Sequence, residues 1–123
     1  MHDRDLRWDD RLSTVEAWIR QDNGDAALAH LLAFDAELTR DVQGEEHVVL
    51  PVLERLVAVP AHATATMREE HRQLRRLVDT AGERIARRDS RGGLEVLSTL
   101  RSLLLVHVLK EEWVVYPLMR TYS

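Results

Sequence analysis

His107 lies in the most apolar stretch of the chain, LRSLLLVHVLKEEWVVYP, and Glu111 follows it four residues later. Residues three and four apart share a helix face, so Leu100, Leu103, Leu104, His107 and Glu111 form one stripe. Apart from its two polar members, that stripe has the composition of a core. A buried carboxylate without a partner is costly, and a buried imidazole needs at least one hydrogen bond. Residues one turn apart are separated by about 6 Å along the axis, so both side chains reach a common point. Two donors at this spacing suit one metal ion, like other i, i+4 ligand pairs on helices.

Such donors need helices to hold them, and the chain supplies four. Its glycines and prolines cluster at Asn23-Gly24-Asp25, Val59-Pro60-Ala61 and Arg91-Gly92-Gly93, which marks three breaks. The first segment, Arg4 to Gln21, carries Trp8, Leu12, Val15 and Ile19 at helical spacing. The second, Ala26 to Val57, carries Leu28, Leu31, Phe34, Leu38, Val49, Leu53 and Leu56. The third opens on Thr66-Met67-Arg68-Glu69, which fits a capping box, and runs through Leu74, Val78, Ala81 and Ile85. The fourth, Leu94 to Thr121, carries Leu97, Leu100, Leu103, Leu104, Val108 and Val115. Strand-like alternation is absent. Short connections predict an all-α, up-down-up-down antiparallel four-helix bundle.

The two halves repeat one another at an offset of 66 residues, without a gap. Trp8 falls on Leu74, Leu12 on Val78, Phe34 on Leu100 and Leu38 on Leu104. Glu45-Glu46 falls on Glu111-Glu112, and Leu50-Pro51 on Tyr116-Pro117. Matched apolar positions alone could come from any two amphipathic helix pairs, but a matched Glu-Glu and Pro point to duplication. The chain therefore reads as one domain, 1–123, with repeat 1 at about residues 1–58 and repeat 2 at about 61–123.

The repeat assembles a constellation. His71 sits on the face of Leu74 and Val78, and Glu45 is the equivalent of Glu111. Asp41 lies one turn before Glu45, and Asp5 is the equivalent of His71. Asp5, Asp41, Glu45, His71, His107 and Glu111 thus come from all four helices and would converge where the halves meet. The alternative is a hydrogen-bonded polar network without metal, with Glu69-Glu70 as favourable charges near a helix N-terminus and Glu45-Glu46 on a solvated face. Glu37, one turn before Asp41, is a further oxygen donor on the same face. His30 is too far from Asp41 for the same ion, and His47 and His62 fall outside the pattern. Pro51 and Pro117 each remove a backbone hydrogen bond, which predicts a kink or an early helix end.

The run His107-x-x-x-Glu111-Glu112-x-x-x-Tyr116-Pro117 resembles the second-repeat signature of the hemerythrin-like, HHE cation-binding family, and Glu70-His71-x-x-Leu74 resembles its third-helix ligand motif. The resemblance covers essentially the whole chain. It implies a left-turning four-helix bundle holding non-haem iron, usually two ions, with a single ion or manganese as alternatives. It implies His71, His107 and Glu111 as ligands, with Glu45 as the other bridging carboxylate. Asp41 and Asp5 stand where the first repeat of the family carries histidines. Carboxylates bind iron or manganese through oxygen, so the site implied is richer in carboxylate.

The implied function is binding or activation of dioxygen, peroxide or nitric oxide, as an oxidoreductase if catalytic, with a small organic substrate left open. The alternatives are a non-catalytic gas or iron sensor or store, and a metal-free helical interaction domain. The net charge of −4 gives no positive field for nucleic acid. Absence of cysteine excludes thiolate ligands and disulfides. The charged start, MHDRDLRWDD, lacks an apolar signal region, and no uninterrupted apolar run approaches the roughly 20 residues of a membrane span. These features predict a cytoplasmic protein with no membrane partner; a homodimer is left open.

Overall fold

The computed structural model describes residues 2–55, 61–115, 117 and 120, with side chains for 7–55, 63–113, 115, 117 and 120. Helix α1 (His2–Arg20) buries Trp8, Leu12, Val15 and Ile19, spaced four, three and four apart so that they make one stripe. Helix α2 (Gly24–Gly44) buries Ala27, Leu31, Phe34 and Leu38 in the same rhythm. It runs through a π turn, Glu45–Val49, into α3 (Leu50–Glu54). Helix α4 (Ala61–Ala86) buries Leu74, Val78, Ala81 and Ile85. Helix α5 (Ser90–Lys110) buries Leu97, Leu100, Leu104 and Val108, and a second π turn, Glu111–Val115, follows it.

The described residues contain no strand, and the fold is an all-α four-helix bundle. Around the bundle the order is α1, α2, α4, α5: α1 packs on α2 and α5, and α4 packs on the same two. The two halves therefore pack side by side, and equivalent helices sit diagonally, α1 across from α4 and α2 across from α5. By length and composition Ser90–Trp113 could cross a bilayer, which the sequence reading did not anticipate. In the bundle, one face of α5 packs into the core, and Leu105, Val106 and Leu109 on another face are exposed.

The turns joining α1 to α2 and α4 to α5 are the same turn at the 66-residue offset. Asp22 and Arg88 both take a left-handed conformation, at φ 57° and 62°. Asn23 and Asp89 cap the following helices by accepting from Ala26 N and Gly92 N, at 3.1 and 2.9 Å. The third break thus falls at Arg87–Asp89, before Gly92-Gly93 rather than on them. Gly92 lies inside the first turn of α5, where a Cβ would come within 2.2 Å of Asp89 Oδ2. The glycine there leaves room for the cap.

The capping box expected at Thr66–Glu69 is also corrected. Helix α4 begins five residues earlier, at Ala61, because Ala61, Ala63 and Ala65 are strong helix formers. Glu69 instead pairs with Arg72 and Arg76, at 2.7 and 3.2 Å. The break at Val59-Pro60-Ala61 lies mostly outside the described residues.

Several ion pairs join the halves, including Glu16 with Arg101 and Glu54 with Arg68, and two of them correspond to each other. Asp35 on α2 meets Arg75 on α4 at 2.6 Å, and Asp9 on α1 meets Arg101 on α5. These pairs are equivalent at the 66-residue offset, with the charges exchanged.

Candidate metal centre

Glu45 and Glu111 each open a π turn. Both turns read Glu-Glu-x-Val-Val-x-Pro, ending on Pro51 and Pro117. A proline inside a helix has no N–H, and its ring crowds the carbonyl four residues back. A π turn just before it widens the backbone and adds one residue to that turn; such turns are frequent at functional sites. The helix does not end at Pro51, which lies within α3. The wider turn also lets two consecutive side chains, Glu45 and Glu46, reach the same neighbour.

That neighbour is His71 on α4. Its Nε2 donates to Glu45 Oε2 at 2.8 Å and its Nδ1 to Glu46 Oε1 at 3.0 Å. On α5, His107 Nε2 lies 3.2 Å from His71 Nε2, 3.4 Å from Glu45 Oε2 and 2.6 Å from Glu111 Oε1. Glu45, His71, His107 and Glu111 are all buried, at 5, 4, 1 and 1% exposure. The main core lies on one side, and Leu50, Leu53, Met67 and Val115 form a smaller apolar cluster.

The electrostatics follow from this crowding. Burial pushes against a charged His107, but the Glu111 and Glu45 carboxylates outweigh it and raise its pKa to about 9. Burial likewise opposes charge on His71, and Glu45 with Glu46 raises it. Burial disfavours ionised Glu45, yet contacts with His107, His71 and Glu111 hold it well below the usual carboxylate range. Burial raises Glu111, and the neighbouring Glu45 adds to that against the pull of His107.

The donor set fits a metal ion. Glu45, His71 and His107 each offer an atom within 4.8 Å of the others. Separations near 3 Å are those of neighbouring ligands on one cation with bonds of about 2.1 Å. His107 Nδ1 is buried without a hydrogen-bond partner among the described residues; Glu70 Oε2 lies 3.9 Å away and is held by Lys110 Nζ at 3.1 Å.

Of the six residues singled out by sequence, the structure brings together Glu45, His71, His107 and Glu111. Asp41 is half-buried and lies outside the three-donor group. The Asp5 side chain lies outside the described residues, as do those of His2 and His62. Glu37 is engaged by Arg11, at 2.6 Å, and by Arg7, at 3.7 Å. His30 is exposed and stacks on Trp18, and His47 is exposed. Sequence reasoning did not assign Glu46 or Glu70 to the histidines; Glu46 bonds His71, and Glu70 stands 3.9 Å from His107 Nδ1. The doubled Glu-Glu was the available signal for Glu46.

Residues 4–120 match the family model of the hemerythrin HHE cation-binding domain. The chain belongs to that family. Comparisons with curated proteins and with solved structures give no match. The family is described as a cation-binding domain, and here the buried His71, His107 and Glu45 are donors available for a cation.

Proposed function

We propose that this hemerythrin-like domain is a non-haem iron protein that binds or activates dioxygen, peroxide or nitric oxide. The observation that carries the reading is the convergence of His71 Nε2, His107 Nε2 and Glu45 Oε2 at one buried point, with Glu111 against His107. The two imidazoles would hold the ion through Nε2, and Glu45 and Glu111 through carboxylate oxygen. Iron bound there would supply one-electron redox chemistry and affinity for small oxygen- and nitrogen-containing ligands.

The protein's own groups do the rest. Glu46 fixes the ring of His71 through Nδ1, and Glu70 with Lys110 stands beside Nδ1 of His107. Two carboxylates stabilise the more oxidised ion, which favours activation over simple reversible carriage. The surrounding apolar residues limit water.

A one-ion centre is the second reading. It is supported by Glu37, the alternative oxygen donor of the first half, being engaged by Arg11 and Arg7. The test is metal analysis of protein purified with added iron. We expect at least about one iron per chain, lost in His107→Ala. A content below about 0.3 iron or manganese per chain, unaffected by His107→Ala, would overturn the reading.

A further inference from the structure

Two clefts flank the bundle, and the 66-residue offset relates them. The first, about 150 Å³, lies between α2 and α4; Leu38 and Val42 line it, with Thr39, Gln43 and Arg75, and it reaches His71. The second, about 250 Å³, lies between α1 and α5 and has Leu104, Leu105 and Val108 where the first has Leu38, Thr39 and Val42. Each is lined by part of an Asp–Arg bridge joining the halves: Arg75 in the first, and both Asp9 and Arg101 in the second.

Their linings differ in one decisive respect. The second cleft includes none of the four donor residues, whereas the first touches the buried His71. Arg75, one turn beyond His71, reaches from α4 to α2, donating from Nη1 to Asp35 Oδ1 and from Nη2 to Thr39 Oγ1, both at 2.6 Å. The Arg75–Asp35 pair is partly exposed, at 45 and 26%, and such pairs are weak. An arginine held this way swings aside on the timescale of side-chain rotation.

We propose that the α2–α4 cleft is the entry path by which a ligand of a few non-hydrogen atoms reaches His71, with Arg75 as its latch. This rests on the metal-centre reading for its destination and narrows the ligand class. The cleft is small, about 150 Å³, and its opening suits a diatomic molecule or peroxide better than a bulky organic substrate.

The test uses metal-free protein and dissolved dioxygen as a paramagnetic probe, read by NMR relaxation of the His71 ring and the Leu38 and Val42 methyl groups. Thr39→Trp should cut the dioxygen effect at His71 by about threefold or more, because a filled cleft leaves no room for a diatomic molecule. Leu105→Trp, at the equivalent place in the second cleft, should leave it unchanged, and Arg75→Ala should raise it. Gln43→Trp is the second plug if Thr39→Trp does not fold. The proposal is overturned if the folded plug variant has no effect at His71, or if Leu105→Trp has an equal one. Iron uptake by the unaltered chain is measured separately. Its failure would count against the metal reading alone, because the relaxation experiment uses no metal.

Discussion

His71 and His107 meet with their Nε2 atoms 3.2 Å apart, and Glu45 Oε2 lies 2.8 Å from one and 3.4 Å from the other. Two ring N–H groups cannot both point into that gap without opposing each other. The carboxylate between them offsets the conflict in the metal-free protein. A cation would remove it, because both nitrogens would then present lone pairs to one centre.

This arrangement predicts a pH dependence. The pKa of His107 is raised from 6.5 to about 9, and that of His71 is raised in the same direction. A raised histidine stabilises the fold fully below its ordinary value of 6.5, and the contribution is lost as pH climbs through the folded value. The metal-free protein should therefore lose stability between pH 6.5 and about 9. Metal needs both imidazoles neutral, so loading at pH 7 should expel about one proton or more per ion, and affinity should rise with pH across the same window. Calorimetry in two buffers of different ionisation heat measures the release. Loading without proton release would contradict the protonated metal-free state.

Glu46 should act on metal affinity through His71. Glu46→Ala removes the acceptor at Nδ1, and loss of such an outer partner typically costs about 10- to 100-fold in affinity. Glu46→Gln keeps an acceptor and should recover most of it. Glu69→Ala, which removes an exposed carboxylate paired with Arg72 and Arg76, should change nothing. Competition with a chelator reads all three. Equal affinity in Glu46→Ala and Glu69→Ala would remove Glu46 from the site.

Pro51 should separate metal binding from stability. Pro51→Ala restores an N–H and removes the ring that crowds the preceding turn. The backbone is then free to close to a regular α-helix, which would turn Glu45 by about 100° away from His71. Iron affinity should fall by about tenfold or more, through loss of one ligand, while helicity and melting temperature hold or rise. Circular dichroism and iron titration on the same sample decide it. A variant with full affinity would show that the π turn does not depend on the ring.

Much of this was legible in the sequence because helices announce their buried face by period. Trp8, Leu12, Val15 and Ile19 mark α1, and Leu97, Leu100, Leu104 and Val108 mark α5. His107 and Glu111 stood out because a polar pair on such a face has to be explained. The π turns were harder to read. A helical period assumes 3.6 residues per turn, and one added residue shifts every following side chain. Pro51 and Pro117 carried the signal, but a missing N–H is equally consistent with a kink or a helix end. Gly92 misled for a related reason: glycine is read as a turn residue, yet here it makes room for the Asp89 cap. Glu46 was hidden because its role depends on the wider turn that brings it to His71.

The exchanged charges of two corresponding inter-half bridges bias which pieces assemble, modestly because both pairs are partly exposed. In the native bundle, Asp35 faces Arg75 and Asp9 faces Arg101. Two copies of the first half, packed the same way, would set Asp9 against Asp35; two copies of the second would set Arg75 against Arg101. At these two bridges each half meets like charge in a copy of itself and opposite charge in the other half. Fragments made separately should favour mixed pairs modestly, and a chain that trades halves with a neighbour keeps both bridges only by exchanging its first half for the neighbour's first half.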